Sequence, residues 1–193
     1  MPRFNEREHW NQKYREGIHT LTEPDPFLVE AFSEFVHPTF PAGGSALDLA
    51  GGTGRHSLYL AERGWRVTLT DISEVAIEKA RLNAGALASR IHFVVDDLTQ
   101  FRASQTQFDL VMGFFYLERA IFPEIVKAVR PGGLLVYKTY TTKQLNLESG
   151  PKASEHLLQP GELLRLVDGM QVLRFEEKVA ARATAEVVAK KVA

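Results

Sequence analysis

The chain has 193 residues, 45% of them hydrophobic and 24% charged, which supplies material for one globular core and excludes wholesale disorder. Its 23 basic and 24 acidic residues give a net charge of −1, so a polyanion such as nucleic acid is not the expected partner. The lack of cysteine excludes disulfides, thiolate metal sites and cysteine nucleophiles.

The hydropathy pattern contains no apolar run that approaches the 18 to 20 residues, roughly, needed to span a bilayer. The first 17 residues alternate charges and lack the apolar stretch of a signal peptide. We therefore expect a cytoplasmic protein without membrane contact, folded as a single domain over residues 1–193.

Short apolar runs alternate with amphipathic stretches along the centre of the chain, a pattern typical of a parallel sheet covered on both faces. The predicted elements are, in chain order, a strand at 45–50, a helix to about 63, a strand at 66–70, a helix at 73–88, strands at 91–95 and 108–114, a helix starting near Pro123, and a strand at 133–140.

The last part of the chain departs from this alternation. Residues 171–179 and 184–190 read as two successive strands with only a short break between them, which predicts an antiparallel hairpin at one edge of the sheet. The expected fold class is therefore α/β, a doubly wound sheet with helices on both faces and a C-terminal antiparallel hairpin.

A glycine-rich loop follows the first predicted strand. Asp48 lies near the end of that strand, Gly51, Gly52 and Gly54 follow, and Arg55 opens a helix. Glycines let the backbone approach a ligand closely and adopt positive φ, and ligands of such sheets bind beyond the carboxyl ends of the strands. The loop therefore predicts a ligand site.

Acidic residues follow the next two strands. Asp71 ends the second strand, near the spacing at which a carboxylate meets ribose hydroxyls, although it could instead cap the helix that begins near Ser73. Asp96 and Asp97 follow the third strand, and we expect one of them to cap a turn and the other to face the ligand. Neither the dinucleotide fingerprint nor the Gly-Lys-Ser/Thr phosphate loop is present, so the ligand is predicted to be a nucleoside without a phosphate chain.

These residues together resemble the class I S-adenosylmethionine-dependent methyltransferases. Residues 46–54 (ALDLAGGTG) are similar to the first motif of that family, (V/L)LD(L/V)GCGTG, with Ala50 in place of its first glycine. Residues 108–112 resemble the fourth-strand motif, and residues 130–133 (RPGG) resemble the turn before the fifth strand. The resemblance covers about residues 43–141.

The resemblance implies a Rossmann-like seven-stranded sheet and S-adenosyl-L-methionine as the cofactor. In the family, Asp71 corresponds to the acid that holds the ribose, and Asp97 with Leu98 to the pair that contacts the adenine. The full set of implied cofactor contacts is Trp10, Tyr14, Asp48, Ala50, Gly51, Gly52, Gly54, Asp71, Ile72, Asp97, Leu98 and Phe114.

The N-terminal sequence resembles that of particular groups within this family. Trp10 to Tyr14 (WNQKY) and residues 26–28 are similar to the segment that covers the cofactor in small methyltransferases of the tellurite-resistance and thiopurine types. The resemblance implies a helical cover formed by residues 1–40 and a substrate-side loop at 142–162. Aromatic faces such as those of Trp10 and Tyr14 suit a sulfonium cation.

A catalytic base is not evident. Residues 113–116 (GFFY) stand where amino-methylating enzymes carry Asn/Asp-Pro-Pro-Tyr, and the candidates that remain are Tyr116, Arg119 and His156. Arg119 could bind an anionic acceptor or form a surface ion pair. The histidines lack the spacing of metal ligands, so no metal site is predicted.

The function predicted from these residues is methyl transfer from S-adenosylmethionine to a small molecule, such as a sulfur, selenium or tellurium nucleophile that needs little help from a base. An RNA or protein methyltransferase is the second hypothesis, and a non-catalytic module that binds the cofactor or its product is the third. A dehydrogenase is not favoured, because Tyr116 lacks a lysine four residues later. We expect a monomer or a homodimer.

Overall fold

A single seven-stranded sheet organises the chain in a computed structural model that describes residues 5–105 and 107–192. The strands lie in the order β3-β2-β1-β4-β5-β7-β6. Their bounds are β1 Ser45–Leu49, β2 Arg66–Asp71, β3 Ile91–Val95, β4 Phe108–Phe114, β5 Val129–Tyr140, β6 Met170–Val179 and β7 Ala183–Lys191.

The first five strands pair in parallel, whereas β7 pairs antiparallel with both β5 and β6. The chain builds outward from β1 to β3 and then returns to place β4 on the other side of β1. Strand order therefore reverses between β1 and β4, the position at which ligands bind in open α/β sheets. The predicted doubly wound sheet with a C-terminal antiparallel hairpin is confirmed.

Helices cover both faces of this sheet. Their bounds are α1 Glu6–Arg15, α2 Pro26–Ala31, α3 His37–Thr39, α4 Arg55–Glu62, α5 Glu74–Ala84, α6 Phe122–Ala128 and α7 Glu162–Leu166. A π-helical turn, Phe32–Val36, joins α2 to α3. Short 3-10 turns lie at Gly85–Arg90, Leu98–Gln100, Arg119–Ile121, Thr142–Asn146 and Ser154–His156.

Alternate side chains of the central strands enter two separate cores. Leu110 and Met112 on β4 pack with α2, α4 and α5, while Val111 between them packs with α6 and α7. This alternation is the expected consequence of the two-residue period of a strand buried on both sides.

Two boundaries differ by more than one residue from the sequence-based expectation. The helix predicted at 73–88 ends as an α-helix at Ala84, because Gly85 adopts a φ of +49°, and it continues as a 3-10 turn. The segment 130–133, predicted as a turn before the fifth strand, lies within β5 as a bulge: Val129 pairs with Phe108, and Leu134 pairs with Leu110.

Pro123 lies in the first turn of α6, as predicted, where its missing N–H costs no hydrogen bond. Among the described residues, no helix combines the length and the apolar character needed to cross a membrane.

Candidate active site

The loop after β1 forms the floor of the candidate site. Ala50, Gly52 and Gly54 adopt φ values of +52°, +56° and +85°, so the backbone curls tightly before α4 begins. A Cβ on Gly51 would lie 2.7 Å from Asp48 Oδ2, and one on Gly52 would lie 2.7 Å from the Tyr14 hydroxyl oxygen. Only glycine fits at these two positions while the loop keeps this path.

Asp48 is fully buried near the end of β1, and only one of its two carboxylate oxygens has a hydrogen-bond partner within the described part of the chain. Its Oδ2 accepts a hydrogen bond of 2.7 Å from Ser57 Oγ, whereas Oδ1 has no partner among the described residues. Burial raises the pKa of Asp48 to about 7, against the opposing hydrogen bond from Ser57. Because buried polar atoms are almost always paired, this free oxygen points to a ligand that donates a hydrogen bond.

Asp71 lies at the end of β2, beside the glycine loop. Its Oδ2 accepts from Gly52 N at 2.9 Å and its Oδ1 accepts from Ser73 N at 2.9 Å. Burial raises its pKa to about 6, and the backbone hydrogen bonds oppose this rise. Ser73 itself caps α5 through its bond from Ala76 N, so the alternative that Asp71 caps this helix is not what the structure shows.

The two acids after β3 have different surroundings. Asp97 caps the 3-10 turn Leu98–Gln100 by accepting from Thr99 N at 3.0 Å and from Thr99 Oγ1 at 2.8 Å. Asp96 N donates to Asp71 O at 3.0 Å, and the Asp96 side chain lines a separate cavity of about 140 Å³ with Thr70 and Phe101. Thus Asp97 is the acid that caps the turn, and one of its oxygens is engaged there.

The N-terminal helix α1 packs beside this loop. Asn11 Oδ1 accepts from Ser73 Oγ at 2.6 Å, and Asn11 Nδ2 donates to Glu74 Oε1 at 2.9 Å. These bonds hold the buried Tyr14 against the glycine loop, and burial together with the Asp71 charge raises the pKa of its phenol. The Trp10 ring lies 6.1 Å from the Tyr14 ring. Tyr14 therefore lies at the glycine loop, and Trp10 lies next to Tyr14.

Tyr116 follows β4, and its phenol is part-buried on the same side. Burial raises its pKa, as do the carboxylates of Glu118, Glu6, Asp97 and Asp71, in that order. The proximity of these acids places the Tyr116 phenol near the ends of β2 and β3. A phenol with a raised pKa remains protonated at neutral pH and can donate a hydrogen bond but is a poor base.

Arg119 is engaged in a structural ion pair. Its Nε donates to Glu162 Oε1 at 2.6 Å, its Nη2 to Glu162 Oε2 at 3.1 Å, and its Nη1 to Glu155 O at 2.8 Å. This guanidinium ties the 142–162 loop to α7, so the geometry matches the ion-pair alternative. His156, the third catalytic candidate, lies exposed at the end of the 3-10 turn Ser154–His156.

Phe114 is buried at the end of β4, and its ring lies 4.2 Å from that of His56. His56 Nε2 accepts a hydrogen bond of 3.2 Å from Asp25 N, and burial holds the pKa of this imidazole well below its usual range. His56 is therefore a neutral residue that fixes the start of α2. The remaining implied contacts, Ile72 and Leu98, follow β2 and β3, with Leu98 buried.

Sequence reasoning missed a group of charged residues on the β4–β5 side: Asp25, Arg55, Lys138, Glu186 and Arg182. Lys138 Nζ lies 2.9 Å from Asp25 Oδ1 and 2.9 Å from Glu186 Oε1. These residues come from four distant stretches of the chain, so spacing gave no signal. Among the described residues, no group of three or more potential ligands is placed to hold a metal ion.

Known proteins with similar sequences are methyltransferases. Residues 46–133 match the family model of a methyltransferase domain. The chain is 30% identical over 146 residues to the ubiquinone biosynthesis O-methyltransferase of Idiomarina loihiensis, an alignment that covers 65% of this chain and 60% of that protein. The chain thus spans less than two thirds of this relative's length.

Two solved structures share the fold. TehB from Haemophilus influenzae superimposes with a TM-score of 0.74 at 18% identity, covering 94% of this chain and 67% of that one. Magnesium protoporphyrin IX methyltransferase from Synechocystis, solved with bound S-adenosylhomocysteine, gives a TM-score of 0.74 at 16% identity and covers 96% of this chain and 97% of that one. The chain therefore resembles the class I S-adenosylmethionine-dependent methyltransferases in the sequence of residues 46–133 and in its fold, and the resemblance predicted from its motifs is confirmed.

Proposed function

We propose that the protein transfers the methyl group of S-adenosylmethionine to a small-molecule acceptor. The observation that carries the proposal is the unpaired Oδ1 of buried Asp48, which lies beside a loop where an added Cβ on Gly51 or Gly52 would lie 2.7 Å from another side chain. When bound, the cofactor supplies a methyl group already activated on a sulfonium sulfur. The protein's task is then to position the two reactants and exclude water.

The residues of the candidate site fit this cofactor. Asp48 Oδ1 can accept from the ammonium group of its amino-acid part, and Asp71 has unused lone pairs for the ribose hydroxyls. Asp97 and Leu98 are proposed to contact the adenine. Trp10 and Tyr14, held by α1, are proposed to cover the site and present aromatic faces to the cation.

The three catalytic candidates argue for an acceptor that needs little help from a base. Tyr116 remains protonated, Arg119 is held by Glu162, and His156 is exposed in the 142–162 loop. A soft nucleophile such as a thiolate, selenium or tellurium species attacks a methyl sulfonium without proton removal by the enzyme. These contacts support a soft acceptor over an amine or an alcohol.

The proposal is tested in two steps. Calorimetric titration with S-adenosylhomocysteine is expected to show binding at one site per chain, and absence of binding would contradict the cofactor assignment. A methyl-transfer screen of thiols, selenite, tellurite, amines and carboxylates, monitored by release of S-adenosylhomocysteine, then identifies the acceptor. Turnover with a soft nucleophile supports the proposal, whereas cofactor binding without turnover of any acceptor favours a non-catalytic binding module.

A tRNA acceptor is the second candidate, because curated relatives include the tRNA 5-carboxymethoxyuridine methyltransferase of Escherichia coli. The formal charge of −1 argues against it, since phosphate contacts need a basic surplus. Bulk tRNA added to the same screen separates the two: methylated tRNA would replace the small-molecule proposal.

A further inference from the structure

The β4–β5 side of the site contains a cation stacked on an aromatic ring. Phe115 follows β4 with a φ of +61°, and its N–H donates to Lys138 O at 2.7 Å, which fixes the backbone in this uncommon conformation. The Phe115 ring lies 5.1 Å from that of Tyr140, and Arg182 Cζ lies 4.8 Å from the Phe115 ring centroid. Arg182 comes from the turn between β6 and β7.

The lysines near this ring are matched by carboxylates. Lys138 lies within ion-pair distance of Asp25 and Glu186, and Lys178 Nζ lies 2.7 Å from Glu186 Oε2. Lys178 Nζ also lies 3.6 Å from Glu176 Oε2, so both lysines have carboxylate partners. A buried charge is expected to be compensated in this way.

The two arginines of the same region are not matched. In the part of the chain that the structure describes, neither Arg55 nor Arg182 has a carboxylate within 4.0 Å, and Arg55 Nη1 donates only to the backbone oxygen of Glu23, at 3.1 Å. Of these two arginines, Arg182 is the one that contacts the Phe115 ring, at the end of the sheet where β4 and β5 finish.

The surroundings of Tyr140 are consistent with a cationic surface beside it. Burial raises the pKa of Tyr140; of the neighbouring charges, Arg182, Lys138 and Arg55 lower it and Asp25 raises it, in that order. Arg182 makes the closest cation contact with the Phe115 ring, because its Cζ lies 4.8 Å from the ring centroid. An anion bound beside Arg182 would be attracted by a guanidinium charge that no described carboxylate neutralises at short range.

We propose that Arg182, beside the rings of Phe115 and Tyr140, binds a carboxylate carried by the methyl acceptor. The inference rests on the proposed function and narrows its substrate class to small carboxylic acids. A guanidinium matches a carboxylate with two parallel hydrogen bonds, and an adjacent aromatic ring accommodates a planar apolar body. Arg182 is exposed, so an acceptor can reach it from solvent.

The test compares benzoate with benzamide, which share a ring and differ in charge. Each is titrated into protein saturated with S-adenosylhomocysteine and followed by ligand-observed NMR. Benzoate is expected to bind about tenfold more tightly than benzamide, and Arg182→Gln is expected to reduce the ratio to about one. Arg182→Lys, which keeps the charge and loses the planar fork, is expected to give an intermediate ratio.

A matched control removes the same charge elsewhere. Arg90 lies before β3, at the opposite end of the strands, and its Nη1 donates to Gly64 O at 3.2 Å. Arg90→Gln is expected to keep the preference for benzoate. Equal binding of benzoate and benzamide to the unmodified protein would overturn the proposal, as would a preference that survives Arg182→Gln.

The carboxylate could also be that of the cofactor, and a second comparison separates the two sources. S-adenosylhomocysteine carries an amino-acid carboxylate, whereas 5′-methylthioadenosine lacks it. Arg182→Gln is expected to leave the ratio of the two affinities within about twofold of the unmodified value. A tenfold selective loss for S-adenosylhomocysteine would assign the arginine to the cofactor and overturn the inference, while failure of the unmodified protein to bind S-adenosylhomocysteine would overturn the proposed function instead.

Discussion

The two halves of the candidate site differ in the sign of their charges. The ends of β1, β2 and β3 present Asp48, Asp71 and Asp97, which we call the carboxylate half. The ends of β4 and β5 and the β6–β7 turn carry aromatic rings, Arg182, and Lys138, whose charge is matched by Asp25 and Glu186; we call this the cationic half because Arg182 has no carboxylate partner among the described residues. With the proposed ligands bound, one sheet edge would separate a cationic methyl donor from an anionic acceptor by charge.

The largest effect is expected from breaking the buried ion pairs of the cationic half. Lys138→Met removes the partner of Asp25 and one partner of Glu186, and we expect a loss of about 3 kcal/mol in the free energy of unfolding, because an uncompensated buried carboxylate remains. Urea denaturation measures this loss. Arg174→Met is the matched control, since Arg174 pairs with the half-exposed Glu30 and its loss should cost less than about 1 kcal/mol. Equal effects of the two substitutions would refute the buried-pair interpretation.

The second-largest effect is expected from a substitution in the glycine loop of the carboxylate half. Gly52→Ala places a Cβ at 2.7 Å from the Tyr14 hydroxyl and at a φ of +56°, so the loop must move. We expect S-adenosylhomocysteine to bind more weakly by about 2–3 kcal/mol in calorimetry. Gly64→Ala is the control, because Gly64 also has a positive φ but no atom within 4 Å of an added Cβ. A loss of affinity in the control would show that strain in general, rather than this loop, is responsible.

Asp71→Ala tests whether Asp71, in the carboxylate half, binds the ribose of the cofactor. The substitution removes the acceptor of the Gly52 and Ser73 N–H groups and the proposed acceptor of the ribose hydroxyls. We expect a loss of about 1–3 kcal/mol in S-adenosylhomocysteine affinity, measured by calorimetry. Unchanged affinity would contradict the ribose assignment.

The raised pKa of Asp48 predicts opposite pH trends for binding and for stability. Between its usual 3.8 and about 7, the folded protein holds the proton that the unfolded chain has released, so the free energy of unfolding should fall as the pH rises through this window. A ligand ammonium prefers the ionised form, so S-adenosylhomocysteine should bind about tenfold more weakly at pH 6 than at pH 8.

Asp48→Asn is expected to remove most of this pH dependence of binding, and the remainder should follow Asp71, whose pKa is raised to about 6. Calorimetry at several pH values checks both trends. A pH-independent affinity in the unmodified protein would count against the proposed contact with Asp48.

The smallest effect is expected at the cover. Trp10→Ala removes one aromatic face while the bonds of Asn11 to Ser73 and Glu74 keep α1 in place. We expect a loss of about 1 kcal/mol in affinity for S-adenosylmethionine and an unchanged free energy of unfolding. Unaltered binding would return Trp10 to a purely structural role.

Local patterns predicted the sheet well. The strands Ile91–Val95 and Phe108–Phe114 have the predicted bounds, because β-branched and aromatic runs between breakers are strong strand signals. The glycine loop and Asp71 were placed correctly at one sheet edge, because a parallel sheet brings the carboxyl ends of its strands together.

Contacts between distant residues were beyond the reach of local patterns. The role of Arg119 depends on Glu162, and nothing in the local sequence of either residue shows that they meet. The burial of Glu186 and the partial burial of Lys138 were unexpected for the same reason, since charged side chains are rarely buried unless a partner from another element pairs with them. The cationic half was therefore hidden from sequence reasoning, whereas the carboxylate half was visible in it.

The direction of β7 bears on where substitutions could alter ligand specificity. Because β7 runs opposite to β5, the three residues that precede it, 180–182, reach the ligand edge from the outside of the sheet. A solvent-facing turn tolerates replacement far better than a buried strand. If the proposed acceptor site is correct, we expect substitutions in residues 180–182 to change its specificity without disturbing the buried residues proposed to hold the methyl donor.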